Sequence, residues 1–153
     1  MAQPIGFDPS VINSATVGNY YPGERREYAG KVYQFLKLTD AVNGTSGMVA
    51  EAGSATDATI VTVDRAGGSS LGRIPRCVLV SSVTAGRYFF GLIDGLHASV
   101  KDAAAGLNAV GLKVTTHATT DGDAAASTAY TDKWIGEVRV VSAAGVAGVY
   151  VHL

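Results

Sequence analysis

Apolar and polar residues alternate along much of this chain with a period of two, the spacing that puts successive side chains on opposite faces of a β-strand. Lys31 to Leu38, KVYQFLKL, is the clearest case. Val32, Gln34, Leu36 and Leu38 alternate there with Tyr33, Phe35 and Lys37, giving one mainly aliphatic face and one aromatic face. Thr59 to Asp64, TIVTVD, reads as a strand rich in β-branched residues. Arg76 to Val83, RCVLVSSV, reads as another, with Cys77, Leu79 and Ser81 on one face. Gly111 to Ala118 alternates through Leu112, Val114 and Thr116, and residues 47–50 suit a short strand.

The densest apolar run, Gly86 to Val100 (GRYFFGLIDGLHASV), is the one the other strands are expected to pack around. Asp94-Gly95 divides it and predicts a hairpin turn, because such a turn needs positive φ and glycine adopts it without steric cost. A second hairpin is predicted from Trp134–Ser142 and Val146–Leu153 across Ala143-Ala144-Gly145, tying the C-terminus into a sheet. Asn43-Gly44, Gly53 to Asp57 and Ala85-Gly86 mark further turns. Lys101 to Ala109 leans towards helix through its alanines, though for no more than a turn or two. Arg65 to Leu71 and the polar Thr119 to Asp132 read as loops, the latter the longest excursion.

Residues 1 to 30 break the pattern. They hold Pro4, Pro9 and Pro22, which remove N–H donors and fix φ, so the segment is expected to be an extended arm. It nevertheless carries Ile5, Phe7, Val11, Ile12, Tyr20 and Tyr21, more apolar groups than a solvated tail needs. The arm either packs along its own domain or docks on a neighbouring subunit or partner. The expected fold is thus all-β: a single-domain β-barrel or β-sandwich over 31–153, with about 8 to 10 strands, preceded by the arm over 1–30. Its core candidates are Val32, Phe35, Leu36, Ile60, Val78, Val80, Phe89, Leu92, Leu112, Trp134, Val138 and Val149.

Composition narrows the functional classes. Of the 153 residues, 47% are hydrophobic and only 16% charged, so Ser, Thr, Gly and Ala supply much of the surface, which suits a β protein partly covered by a partner. A net charge of −1 offers no basic excess for phosphates, so nucleic acid is not an expected partner. No apolar run approaches the ~20 residues of a membrane helix, and MAQPIGFDPS lacks the regions of a signal peptide. Cytoplasmic synthesis is the expectation, and a single Cys77 cannot form an internal disulfide.

No catalytic constellation emerges. His97, His117 and His152 each sit alone in predicted strands, without the converging ligands of a zinc site. Cys77, between Arg76 and Val78, reads as a core thiol. Gly67 to Gly72, GGSSLG, lacks the Lys-Ser/Thr pair and following helix of a phosphate loop. Asp121-Gly122-Asp123 lacks the later ligands of a calcium loop. Arg25-Arg26, in GERREY, is the densest charge cluster: a solvated edge, or a contact to an acidic partner surface. An enzyme, a metal site and a cofactor are therefore not expected.

From Arg87 onward the glycine-led aromatic GRYFFGLIDG, then HASV, GLKV and the closing IGEVRVVSAAGVAGVYVHL resemble small decoration (cement) proteins of tailed bacteriophages, and the upstream GERREY and GKVYQFLKL are similar too. The resemblance covers roughly residues 24 to 153. It implies an abundant virion protein, made in the host cytoplasm, that binds the outside of the capsid and bridges subunits of the major capsid protein. It also implies a homo-oligomer, trimer before dimer, with no catalysis and no cofactor. Candidate partner contacts are Ile5, Phe7, Val11, Ile12, Tyr20, Tyr21, Arg25 and Arg26. The competing expectation is a carbohydrate- or receptor-binding β module of a phage fibre or tail, which would show aromatic side chains on exposed loops.

Overall fold

The computed structural model describes residues 7–39, 42–64, 74–102, 104–127 and 133–153. The expected loop at Arg65 to Leu71, with GGSSLG, lies outside these residues, as does Ile5. Strands form at Arg25–Tyr28 (β1), Lys31–Leu38 (β2), Val49–Ala52 (β3), Ile60–Thr62 (β4), Pro75–Leu79 (β5), Tyr88–Lys101 (β6), Lys113–Thr116 (β7), Ala124–Ala126 (β8), Gly136–Ala143 (β9) and Val146–His152 (β10). The described residues contain no α-helix, only a 3-10 turn at Pro9–Val11. The chain is all-β, as its period-two pattern predicts.

Ring closure organises the fold. The strands are ordered β1-β2-β4-β3-β5-β6-β10-β9-β7-β8, and β2 also pairs with β6. That extra pairing closes β2, β4, β3, β5 and β6 into a five-stranded barrel. All pairings are antiparallel except β2 with β4, where Lys37 faces Ile60 and Leu38 faces Val61.

Asp94-Gly95 is not a hairpin turn. Tyr88–Lys101 is one unbroken strand of 14 residues. Its first half pairs with β2 (Leu36 with Phe89, Tyr33 with Leu92) and β5, and its second half pairs with β10 (Tyr150 with Leu96, His152 with Asp94). The change of partner falls at Asp94-Gly95, beside a register shift between Val32 and Tyr33 on β2. Gly95 has the positive φ, +123°, that the turn reading required of it. Here it serves close approach instead, since a Cβ at Gly95 would lie 2.8 Å from Lys31 Cγ. β6 is thus the shared wall of the barrel and an outer sheet.

Both faces of β2 and of the first half of β6 are consequently mostly buried, which explains why those runs are so apolar. Leu36, Leu38, Cys77, Leu79, Val61, Phe89 and Ile93 belong to one cluster, the barrel interior. Tyr33, Phe35, Val78, Phe90 and Leu92 point the other way into a second cluster with Val114, Ile135, Val138 and Val149 from the outer strands. The core candidates fall in these two layers or at their margins, except Ile60, which is half-buried on β4 outside both clusters, and Trp134. Trp134 is 40% exposed, while its neighbour Ile135 is fully buried.

The C-terminal hairpin forms as expected, with a tighter turn. Ala143 pairs with Val146, leaving only Ala144 and Gly145 between the strands, both at positive φ (+51° and +79°). The same Ala-Gly device, Ala29 at +50° and Gly30 at +72°, joins β1 to β2. Primed turns of this kind match the right-handed twist of the strands they connect. Two other expectations fail. Residues within the Thr119–Asp132 loop form β8, which pairs with β7 (Thr116 with Ala124). No helix forms in the described part of Lys101 to Ala109, and Ala105 instead adopts positive φ, +50°.

Asp102 replaces that helix as the local organiser. Its carboxylate is fully buried and accepts from Gly106 N at 3.1 Å and Leu107 N at 2.9 Å, while its own N–H donates to Gly145 O at 2.9 Å. Asp102→Ala leaves two backbone donors without an acceptor and is expected to cost about 2 kcal/mol of stability in urea denaturation, with Asp102→Asn losing less. Equal stability of all three proteins would show that the carboxylate does not organise this loop.

Candidate interaction surfaces

The N-terminal segment is built onto the barrel. Phe7, 5% exposed, stands edge-on to Phe90 with centroids 4.9 Å apart and to Tyr28 at 5.9 Å. Tyr20 packs on Phe90 at 5.0 Å and Phe35 at 5.3 Å. Between these anchors, Ser14 and Tyr88 exchange two backbone hydrogen bonds (3.0 and 2.8 Å). Asp8 caps the 3-10 turn, accepting from Ser10 N (2.9 Å) and Ser10 Oγ (2.7 Å), and Ser10 thereby holds the Asp8 carboxyl below its ordinary range. Of the two readings of the arm, packing along its own domain describes residues 7–23.

This arrangement sorts the residues expected to meet a partner. Phe7 and Tyr20 are committed to the chain's own core, and Ile12 is half-buried against it. Val11 and Tyr21 project outward, 72% and 78% exposed. Arg26 is not a free charge: its guanidinium lies 4.9 Å from the Tyr20 ring and 5.5 Å from the Phe7 ring, and Nε is 2.6 Å from Glu24 Oε1. Burial pushes the Glu24 carboxyl up, but the Tyr21 N–H and Arg26 outweigh it and leave the group below its ordinary range. Arg25 is exposed on β1, which forms an edge of the sheet although it was expected within the arm. A charged edge of this kind discourages uncontrolled strand pairing.

A second surface lies on the outer face of β6, β10, β9 and β7. Leu96, Tyr150, Glu137 and Lys113 sit in one row across it, each in register with the next. Lys113 Nζ stands 3.7 Å from the centroid of Trp134, and Arg139 lies 5.9 Å from that of Tyr150. Glu137 sits between the two cations, 3.5 Å from each. Asp94 Oδ1 meets His152 Nδ1 at 3.0 Å. Exposed aromatics were expected on loops if anywhere, and these flank a sheet face. The Lys113–Trp134 pairing was not visible in the sequence, because the two residues meet only through the β7–β9 register.

The remaining chemistry-bearing residues stay apart. Cys77 is fully buried in the barrel, and burial pushes its thiol far up, so it is no ready nucleophile. His97 is half-buried, and desolvation with the Lys31 charge lowers its pKa. His117 Nδ1 accepts from Thr119 N and Thr120 N at 3.3 and 3.2 Å. Among the described residues, no group of three or more His, Cys, Asp and Glu could hold a metal ion. No described helix is long and apolar enough to cross a membrane. No family model matches the chain, and neither a curated protein nor a solved structure is significantly similar to it.

Proposed function

We propose that this chain is a structural virion protein that binds the outside of a tailed-phage capsid and stabilises it by bridging capsid subunits. The observation that carries the reading is the pair Val11 and Tyr21, strongly exposed on a segment that Phe7 and Tyr20 pin to the barrel. Because the segment is already ordered, docking these side chains costs little additional conformational entropy. Full burial of each would contribute roughly 1.5–3 kcal/mol, and a homo-oligomer, trimer before dimer, multiplies that through avidity. The low charge of the chain and its resemblance to decoration proteins support the same reading.

The test uses heads of the cognate phage that lack the decoration protein. Deleting the whole arm would also remove Phe7 and Tyr20 from the core, so the informative variant is Val11→Ser with Tyr21→Ser. Wild-type protein is expected to occupy the heads and raise their resistance to heat, with binding that persists in moderate salt because the contact is apolar. The double variant is expected to lose at least tenfold in affinity. Equal occupancy by both proteins rejects the N-terminal contact, and no binding by wild type rejects the capsid reading.

A further inference from the structure

We propose that the depression around Trp134 on the outer sheet is a binding subsite for a neutral saccharide, a role separate from attachment through Val11 and Tyr21. Trp134 is the shared wall of two shallow depressions. One is bounded by Gly136, Glu137, Arg139, Tyr150 and His152, and the other by Ile74, Pro75, Lys133 and Leu153. Both depressions therefore reach the indole, which Lys113 covers in part. Gly136 lies beside the indole because β9 approaches β10 too closely there for a Cβ, which would meet the Tyr150 carbonyl.

The chemistry of the walls selects the ligand. Trp134 and Tyr150 are each 40% exposed. Each ring has a cation over it, Lys113 at 3.7 Å and Arg139 at 5.9 Å, an arrangement that restrains the rings before any ligand arrives. The C–H-rich face of a pyranose ring carries slight positive charge and stacks on the negative face of an aromatic ring. Its hydroxyls both donate and accept, and so need planar partners of both kinds. Glu137 can accept, Arg139 can donate, and the 3.5 Å separation of Glu137 from both its cations leaves its oxygens with hydrogen-bonding capacity. Asp94 and His152, 3.0 Å apart, add a second polar pair at the edge.

Other occupants fit less well. Of the three lysine and arginine side chains around Trp134, Lys113 and Arg139 are offset by Glu137 and Asp94, so at most Lys133 is left to draw a phosphate or an anionic chain. A protein partner, including a second copy of this chain, prefers an interface centre depleted of charge, whereas here charged side chains surround both rings.

The chain has a single Trp, so its fluorescence reports on this subsite alone. The experiment titrates the full-length protein with neutral tetrasaccharides of glucose, galactose and N-acetylglucosamine. At least one is expected to shift the emission saturably, with Kd about 1 mM for so open a site. Tyr150→Ala, which keeps the fluorophore, should weaken that binding about tenfold. Trp134→Ala should abolish saturation transfer to the sugar in NMR, and Val140→Ser, as a folded control on the same strand pair, should change neither readout. The proposal is overturned if no sugar shifts the emission at tens of millimolar, or if binding survives both aromatic substitutions. It is also overturned, in favour of self-association, if the emission depends on protein concentration and not on sugar.

Discussion

Gly47→Ala is expected to lower the free energy of unfolding by about 4 kcal/mol. Gly47 has φ +85°, and a Cβ there would lie 2.1 Å from the carbonyl oxygen of Ser99. Two costs coincide: a left-handed backbone imposed on an L-residue, and a clash with main chain that no rotamer change relieves. The neighbouring ladder cannot shift freely either, because Gly47 N donates to Leu79 O at 2.8 Å and Lys101 N donates to Gly47 O at 2.9 Å. These two bonds tie the ends of β5 and β6 together. Gly18→Ala separates the costs, since Gly18 has φ +60° with nothing within 4 Å of the added carbon. It should lose only about 1 kcal/mol. Urea denaturation of the two variants decides the matter, and equal losses would mean that the approach to Ser99 contributes nothing.

Phe7→Ala is expected to cost about 3 kcal/mol and to lower the melting temperature by about 6–12 °C. The substitution removes a ring packed against Phe90, Tyr28 and Tyr20 and takes away one of the two aromatic faces under Arg26. It also leaves Tyr20 as the remaining aromatic anchor of the segment. Val11→Ala, a few residues away on the exposed side, should change stability by no more than about 0.5 kcal/mol. The pair thus separates the two roles of one segment: Phe7 acts on the fold, Val11 on the surface. A melting temperature for Phe7→Ala indistinguishable from wild type would show that the segment is not part of the folding unit.

The same segment shows where a sequence pattern loses its force. Ile12, Tyr20 and Tyr21 carry no periodic signal, and whether an apolar side chain among prolines meets its own barrel or another molecule depends on what lies opposite. Phe90 and Phe35 supply the answer for Phe7 and Tyr20, from positions some eighty and fifteen residues away in the chain. None of the described residues covers Tyr21 to the same extent. The candidate saccharide subsite was hidden for a related reason. KWIG placed Trp134 next to an apolar residue, and only the burial of Ile135 shows which of the two faces inward.

What the sequence determined by itself are the properties set within a few residues. Alternation defined Lys31–Leu38 as a strand to the residue, because both its faces are apolar enough to require burial. Ala-Gly placed the closing turn of the C-terminal hairpin, because glycine readily tolerates the left-handed backbone a two-residue connection needs. The all-β class followed from many such local signals agreeing. Tertiary structure decided the rest. At Asp94-Gly95 the local preference for positive φ was real, yet it could be met by a turn or by a strand passing close to Lys31. Pairing of β6 with β2 on one side and β10 on the other selected the second, because an unbroken strand satisfies backbone hydrogen bonds in two sheets at once. Barrel closure, the exposure of Trp134 and the division of the N-terminal segment into anchors and contacts all depend on such distant pairings, which no local pattern encodes.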